Sequence, residues 1–258
     1  MNIATPKSKA TWLLISILMT VAALTGLMLA LQSATDSVSA HSGAVFGSGC
    51  GQATIDGNVD PAEWSNATTQ TFQLVTGGAA APLTSSLYVM NSGNYLYLGI
   101  TINDDEFNTS AEFLPQGDGF RIDFDNDHSG TLFALGDDVL SISAGLPQFA
   151  DNYIYAATSS QSDLLGGGTS DGAGTASRVG GLNHFELRHP LCSGDSLDFC
   201  IHPNDTVGFR LEYLDAEANG RFGSTQYFPG LTDTSEADIV IGPCDIPDFF
   251  IHLPLLMK

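Results

Sequence analysis

After residue 41 no stretch of this 258-residue chain sustains a 3.6-residue apolar period. Short runs of period two take its place, separated by Gly, Asn and Asp. They fall at 53–55, 69–75, 85–91, 95–102, 120–125, 139–144, 153–157, 184–188, 207–214 and 238–241. The segment 120–125 shows the pattern most plainly. Phe120, Ile122 and Phe124 alternate with Arg121, Asp123 and Asp125, giving one apolar and one charged face. Ser92-Gly93-Asn94 joins two runs that read as a hairpin. Many short strands at this spacing predict an all-β fold, a β-sandwich of jelly-roll type, with an N-terminal signal segment before it.

That segment is residues 1–40. Lys7 and Lys9 precede an apolar run over 12–31, and Val38-Ser39-Ala40 forms a small-residue cleavage site. The run is long enough to span a bilayer, although Thr20, Thr25 and Gly26 dilute it. The flanks favour a cleaved signal peptide; an uncleaved anchor is the other reading, and the only membrane attachment the sequence offers. Either exports the remainder. Residues 41–49 read as a flexible lead-in, 50–244 as the sandwich, and 245–258 as an apolar tail too short to span a bilayer. The tail is similar to short apolar ends of some bacterial exported proteins, or it packs as a last strand. Residues 165–181, rich in Gly and Ser, read as a long mobile loop. Sequons stand at Asn66, Asn108 and Asn204.

Charge excludes some partners. The chain has 8 basic and 29 acidic residues, a net charge of −21. Residues 1–40 carry two lysines and one aspartate, so the remainder is one unit more acidic, at −22. Such a surface repels nucleic acid and anionic membranes and suits cations. The four cysteines, Cys50, Cys192, Cys200 and Cys244, make an even set in an exported chain, and three pairings are open. Cys192 and Cys200 flank one short loop; Cys50 precedes the first long strand and Cys244 follows the last. The expected bonds are Cys192–Cys200 and Cys50–Cys244. No Cys-x-x-Cys pair supports zinc.

The stretch after the alternating strand carries the clearest chemistry. Asp125, Asp127 and Ser129 stand at alternate positions and Gly130 follows. This is the opening of an EF-hand-type calcium loop, with oxygen ligands at positions one, three and five and then a sharp turn. Position twelve, which should be Glu, is Gly136; Asp137 and Asp138 follow and could supply the late carboxylate. The expected calcium ligands are Asp125, Asp127, Ser129, the carbonyl of Thr131, and Asp137 or Asp138. Asp123 is a weaker candidate on the same face as Asp125. The alternative is a solvated acidic turn. Asp104 and Asp105 end the 95–102 run and approach the Asp125 loop if the strands are neighbours.

Residues 53–67, ATIDGNVDPAEWSNA, resemble the opening of family 9 carbohydrate-binding modules and their DOMON-like relatives. The resemblance continues in order through 95–107, 117–138, 184–200 and 205–215, nearly the whole exported chain. It implies a calcium-containing β-sandwich of jelly-roll type that binds polysaccharide or a cell-surface glycan. Sugar-binding members clamp a ring between aromatics, usually Trp. Past residue 40 this chain has one, Trp64, inside the opening motif, where burial is its expected role. Same-face pairs Tyr95 with Tyr97 and Tyr153 with Tyr155 could offer stacking faces, or could be ordinary sheet packing.

No His-Glu-x-x-His helix or phosphate loop occurs, and nothing singles out one carboxylate pair. Two functions therefore stay open. One is a noncatalytic exported carbohydrate-binding module, secreted or at the cell surface, with structural calcium. The other is a structural or adhesive cell-surface sandwich without a sugar site.

Overall fold

A computed structural model describes residues 43–78, 80–110, 117–157, 159–217, 222–232 and 234–244. Residues 1–40, read above as a signal segment, and the 245–258 tail lie outside these residues. Among the described residues no helix is long and apolar enough to cross a membrane.

Two sheets stack face to face. The larger contains β1 (Val45–Gly47), β4 (Val75–Thr76), β7 (Gly119–Asp125), β8 (Asp138–Ser143), β9 (Phe149–Ala156), β10 (Ser159–Ser162), β13 (Thr206–Ala216), β14 (Phe222–Phe228) and β15 (Ala237–Val240). Its path runs β1-β15-β13-β7-β8-β9-β10. The long strand β13 pairs with β7 along one edge and divides its other edge between β15 and β14. The smaller sheet contains β2 (Gly49–Cys50), β3 (Thr68–Gln73), β5 (Thr84–Asn91), β6 (Tyr95–Ile102), β11 (Ala173–Val179) and β12 (Leu182–Pro190). Its path runs β11-β12-β6-β5-β2, with β3 also on β5. One four-residue helix, α1 (Asp163–Gly166), follows β10.

The core follows from alternation. Leu96, Leu98, Ile100 and Ile102 of β6 face Phe120, Ile122 and Phe124 of β7, with Phe185, Leu187, Phe209 and Leu211 between the same layers. Each such side chain, fully buried, contributes about 1.5–3 kcal/mol. A smaller cluster lies on the outer face of the second sheet, where Val59 and Trp64 cover Met90 and Tyr97. A Cβ at Gly99 would stand 3.1 Å from the Trp64 ring, so any larger residue would press on the indole. Trp64 Nε1 donates to Glu186 Oε1 at 2.8 Å. Oε2 of Glu186 accepts the backbone N–H groups of Asp56, Gly57 and Asn58. The opening segment is thus pinned to β12 by one buried carboxylate. Asp56 closes the local turn by accepting the N–H of Asn58.

The cysteines pair as Cys50–Cys244 and Cys192–Cys200, as expected. The first closes a separation of 194 residues.

Three expectations need correction. Residues 45–50 are not a flexible lead-in: β1 runs parallel to β15, β2 parallel to β5, and Phe46 is fully buried. Residues 165–181 are not one long loop, since β11 pairs along seven positions with β12. It is an edge strand whose buried contribution is Ala176 alone, so it carries no apolar pattern. Conversely, 53–55 is not a strand.

Candidate functional site

The alternation that buries Phe120 and Ile122 turns Arg121 and Asp123 to the outer face of the larger sheet. Register sets Arg121 beside Glu212 on one neighbour and Ser141 on the other. Arg121 Nε donates to Asp123 Oδ1 at 2.6 Å, and Arg210 Nη2 to Asp123 Oδ2 at 3.3 Å. Aromatic rings cover this ion pair. The Arg210 guanidinium carbon stands 4.7 Å from the Phe133 centroid and 5.3 Å from that of Tyr227; Arg121 is 5.4 Å from Phe133. Burial raises the Glu212 carboxyl, and the nearby Asp123 charge adds to it. Asp123 is therefore an arginine partner and not a member of the acidic loop, which corrects its place among the metal candidates.

Beside the pair lies a cavity of about 290 Å³ lined by Arg121, Ser141, Ser143, Pro147, Asn152 and Ser160, among others. That volume is at the lower end of the roughly 300–1,000 Å³ of small-molecule sites. Its hydroxyls, amide and guanidinium offer hydrogen bonds in both directions, with no nucleophile–base pair among them. Arg121 Nη2 has no hydrogen-bond partner among the described residues. The lining fits a neutral, hydroxyl-rich ligand.

The four tyrosines expected to stack are not brought together. Tyr95 and Tyr97 share a face of β6 with ring centroids 6.4 Å apart. However, Tyr97 is only 4% exposed beneath the opening segment, and Tyr95 lies against Arg188. Tyr153 and Tyr155 are on β9. The Tyr153 hydroxyl bonds with Gln161, and its ring abuts Gly166. Tyr155 is half exposed. Tyr97 and Tyr153 therefore leave no paired stacking surface. Trp64 is buried, as its motif suggests.

The acidic loop gathers at the end of β7. Asp125 is fully buried; it accepts the N–H of Gly130 at 2.7 Å and the Ser129 hydroxyl at 3.3 Å. Gly130 has φ +81°, the left-handed turn that the loop needs. Ligand atoms of Asp125, Asp127 and Asp137 lie within 4.8 Å of one another. Asp137 accepts the N–H groups of Ala134 and Asn126, yet burial, with the charges of Asp125 and Asp127 adding, raises it to about 7. Thr131 follows Gly130 as an exposed residue. Glu236, just before β15, joins this group: burial, then the Asp125 charge, raises it to about 8. No local pattern could have placed it there. Carboxylates this close repel unless protons or a cation intervene, and their oxygens with the adjacent hydroxyl are of the type a hard cation takes, the rest of a six- to eight-oxygen shell falling to carbonyls or water.

Asp138 does not belong to that loop. It is the first residue of β8 and faces inward, with His189, Asp151, Asp163 and Asp198 around it. Burial works against a charged His189, but the carboxylates of Asp151 and Asp198 outweigh it and lift the imidazole to about 10. Asp104 is also elsewhere. It faces Asp118 and Asp215 at the opposite part of the fold, where the Tyr213 hydroxyl donates to it. His184 is structural, its Nδ1 accepting the N–H of Val59.

A family model described as "Carbohydrate family 9 binding domain-like" matches residues 55–228. No curated protein matches the chain. Among solved structures, a family 9 carbohydrate-binding module from Caldicellulosiruptor kristjanssonii is similar in two complexes. With cellotriose the TM-score is 0.55 at 16% identity, covering 79% of this chain and 95% of that one. With glucose it is 0.56 at 16% identity, covering 79% and 99%. A putative carbohydrate-binding protein from Bacteroides uniformis gives 0.55 at 9% identity, covering 78% and 100%. At these identities the solved structures speak for the β-sandwich alone; the family model, matching well over half of the chain, shows that the protein belongs to the carbohydrate family 9 binding domain-like family.

Proposed function

We propose that the chain is a noncatalytic, exported carbohydrate-binding module, with its sugar site in the groove on the outer face of the larger sheet. The observation that carries this reading is the cavity beside the Arg121–Asp123–Arg210 pair, lined by Ser141, Ser143, Asn152 and Ser160. The Arg121 guanidinium, held by its bond to Asp123, and the Ser and Asn side chains of the lining are suited to sugar hydroxyls. Pro147 and Ala150 supply its apolar lining. Because the related module is described with cellotriose and glucose, β-linked glucans are the first ligands to test. Two disulfides support export, and with it a place outside the cell or on its surface.

The same reading gives the acidic loop a structural calcium ion, held by Asp125, Asp127, Asp137, Ser129 and Glu236, with the Thr131 carbonyl as a further donor. The ion would neutralise the cluster and fix the loop between β7 and β8.

One observation favours the second reading, a structural or adhesive surface sandwich without a sugar site. Trp64 and Tyr97 are buried, so the stacking platform common in sugar sites is missing from the places where the sequence offers it. A glycan array probed with calcium-loaded protein decides between them. Binding that Arg121→Ala and Asn152→Ala abolish supports the module; no binding to any glycan supports the structural role.

A further inference from the structure

Five ionisable side chains converge between the two sheets. Asp138 and Asp151 come from neighbouring strands of the larger sheet, β8 and β9, as diagonal neighbours on the inner face. His189 comes from β12 of the smaller sheet. Asp163 opens α1, and Asp198 lies in the loop that Cys192–Cys200 closes. Asp138, Asp163 and His189 are 0% exposed, Asp151 2% and Asp198 6%. Ligand atoms of Asp138, His189 and Asp198 fall within 4.8 Å of one another, as do those of Asp151, Asp163 and Asp198.

Neither oxygen of Asp138 and neither oxygen of Asp163 has a hydrogen-bond donor among the described residues. One uncompensated buried carboxylate costs several kcal/mol, and here four share a single basic partner. That partner sits too far off for good hydrogen bonds. His189 Nε2 is 3.5 Å from Asp198 Oδ2 and 3.8 Å from Asp151 Oδ2. These separations suit ligands of one ion: two donors about 2.1 Å from a tetrahedral ion stand about 3.4 Å apart. The tautomer agrees. His189 Nδ1 is 2.9 Å from the Pro190 carbonyl, which can only accept, so Nδ1 carries a proton. With Nδ1 held this way, an ion that displaces the Nε2 proton would meet the Nε2 lone pair, the arrangement of a metal-bound histidine oriented by its outer hydrogen bond. Asp198 also lines a cavity of about 350 Å³ shared with Asp127 and Asp137.

We propose that His189 Nε2 and the carboxylates of Asp138 and Asp198 bind a divalent transition-metal ion that ties the two sheets together, with Asp151 and Asp163 beside it. Carboxylates take magnesium, calcium and manganese alike, so it is the imidazole nitrogen that favours a transition-metal ion such as zinc over magnesium or calcium. This site is separate from the acidic loop and does not depend on the sugar reading.

The test uses the full chain carrying Asp127→Ala, so that the loop does not contribute. The protein is stripped with chelator, then given zinc, manganese, cobalt(II) or calcium singly. Bound metal per chain, the unfolding midpoint, the visible spectrum of bound cobalt and the ¹⁵N shift of His189 Nε2 are measured. The expected result is one transition metal per chain, a raised midpoint, a ligand-field spectrum and a shifted Nε2 resonance. Asp138→Asn, which removes a buried charge without changing shape, should fold and lose at least tenfold in affinity. His189→Gln should abolish the cobalt spectrum. If no transition metal binds and the His189 ring is a doubly protonated imidazolium, the proposal is overturned and protons neutralise the cluster. Calcium binding that His189→Gln leaves intact overturns it equally.

Discussion

Asp137 and Asp138 are adjacent in sequence yet serve different clusters: Asp137 accepts the N–H groups of Ala134 and Asn126 in the acidic loop, while Asp138 is fully buried between the sheets with His189. The period-two alternation of β8 separates them. Substitutions at the two positions should therefore have separable effects on the two proposed ion sites.

The loop ion is tested by thermal unfolding with calcium, with magnesium and with chelator. Calcium binding to the native state alone adds about 2.7 kcal/mol at a hundredfold excess over Kd. Chelation should lower the wild-type midpoint, and Asp127→Ala should remove most of that response. Magnesium should replace calcium poorly, because it demands tight octahedral geometry. If Asp127→Ala responds to calcium as the wild type does, the ion is not in this loop.

The opening segment depends on Glu186. Replacing it by Gln keeps the shape but puts an amide group where three N–H groups and the Trp64 indole need acceptors. The loss should be about 1–3 kcal/mol, and Trp64→Ala should cost about 3–5 kcal/mol. Urea unfolding followed by tryptophan fluorescence measures the first, and circular dichroism the second.

Much of this architecture is legible in the sequence, and the exceptions have physical causes. β6 and β7 are plain because each alternates against a buried face. β10 (Ser-Ser-Gln-Ser) and β11 are edge strands that bury little, so backbone pairing alone defines them. β1 pairs with a strand at the far end of the chain, which no local pattern reveals. Asp125, Asp127 and Asp137 are local and readable, whereas Glu236 reaches the loop through tertiary structure. The fate of Tyr97 could not be read from β6 alone, because the cover over it is the distant Trp64 segment.

Asp118 gives the stability a pH dependence. Burial raises it from 3.8 to about 7; the amide donors of Asn108 and Ala216 lower it, and Asp104 and Asp215 raise it. Tyr213 and Asn183 complete its surroundings. A carboxyl raised on folding binds more protons in the native state, so its contribution falls as pH rises from about 4 to about 7 and is fully unfavourable above that. Asp118→Asn loses one acceptor and lowers stability at acid pH, but its unfolding midpoint should fall less between pH 5 and pH 8 than that of the wild type. Equal slopes would remove Asp118 as the cause.

The two disulfides should contribute unequally. On chain entropy, Cys50–Cys244 is worth about 5 kcal/mol and Cys192–Cys200 about 2.5 kcal/mol. Paired Cys→Ser variants compared by urea unfolding should keep that order; a larger loss from the short loop would contradict it.

The central claim is tested most directly by isothermal titration of calcium-loaded protein with soluble β-glucan oligosaccharides, alongside pull-down on insoluble glycans. The account predicts saturable binding to the wild type. It predicts at least a tenfold loss in Arg121→Ala, whose guanidinium lines the groove, and in Asn152→Ala, each titrated at a temperature where circular dichroism shows the variant folded, since Arg121→Ala also takes a partner from the buried Asp123. Binding that survives both Arg121→Ala and Asn152→Ala unchanged, or no binding to any glycan, would contradict it.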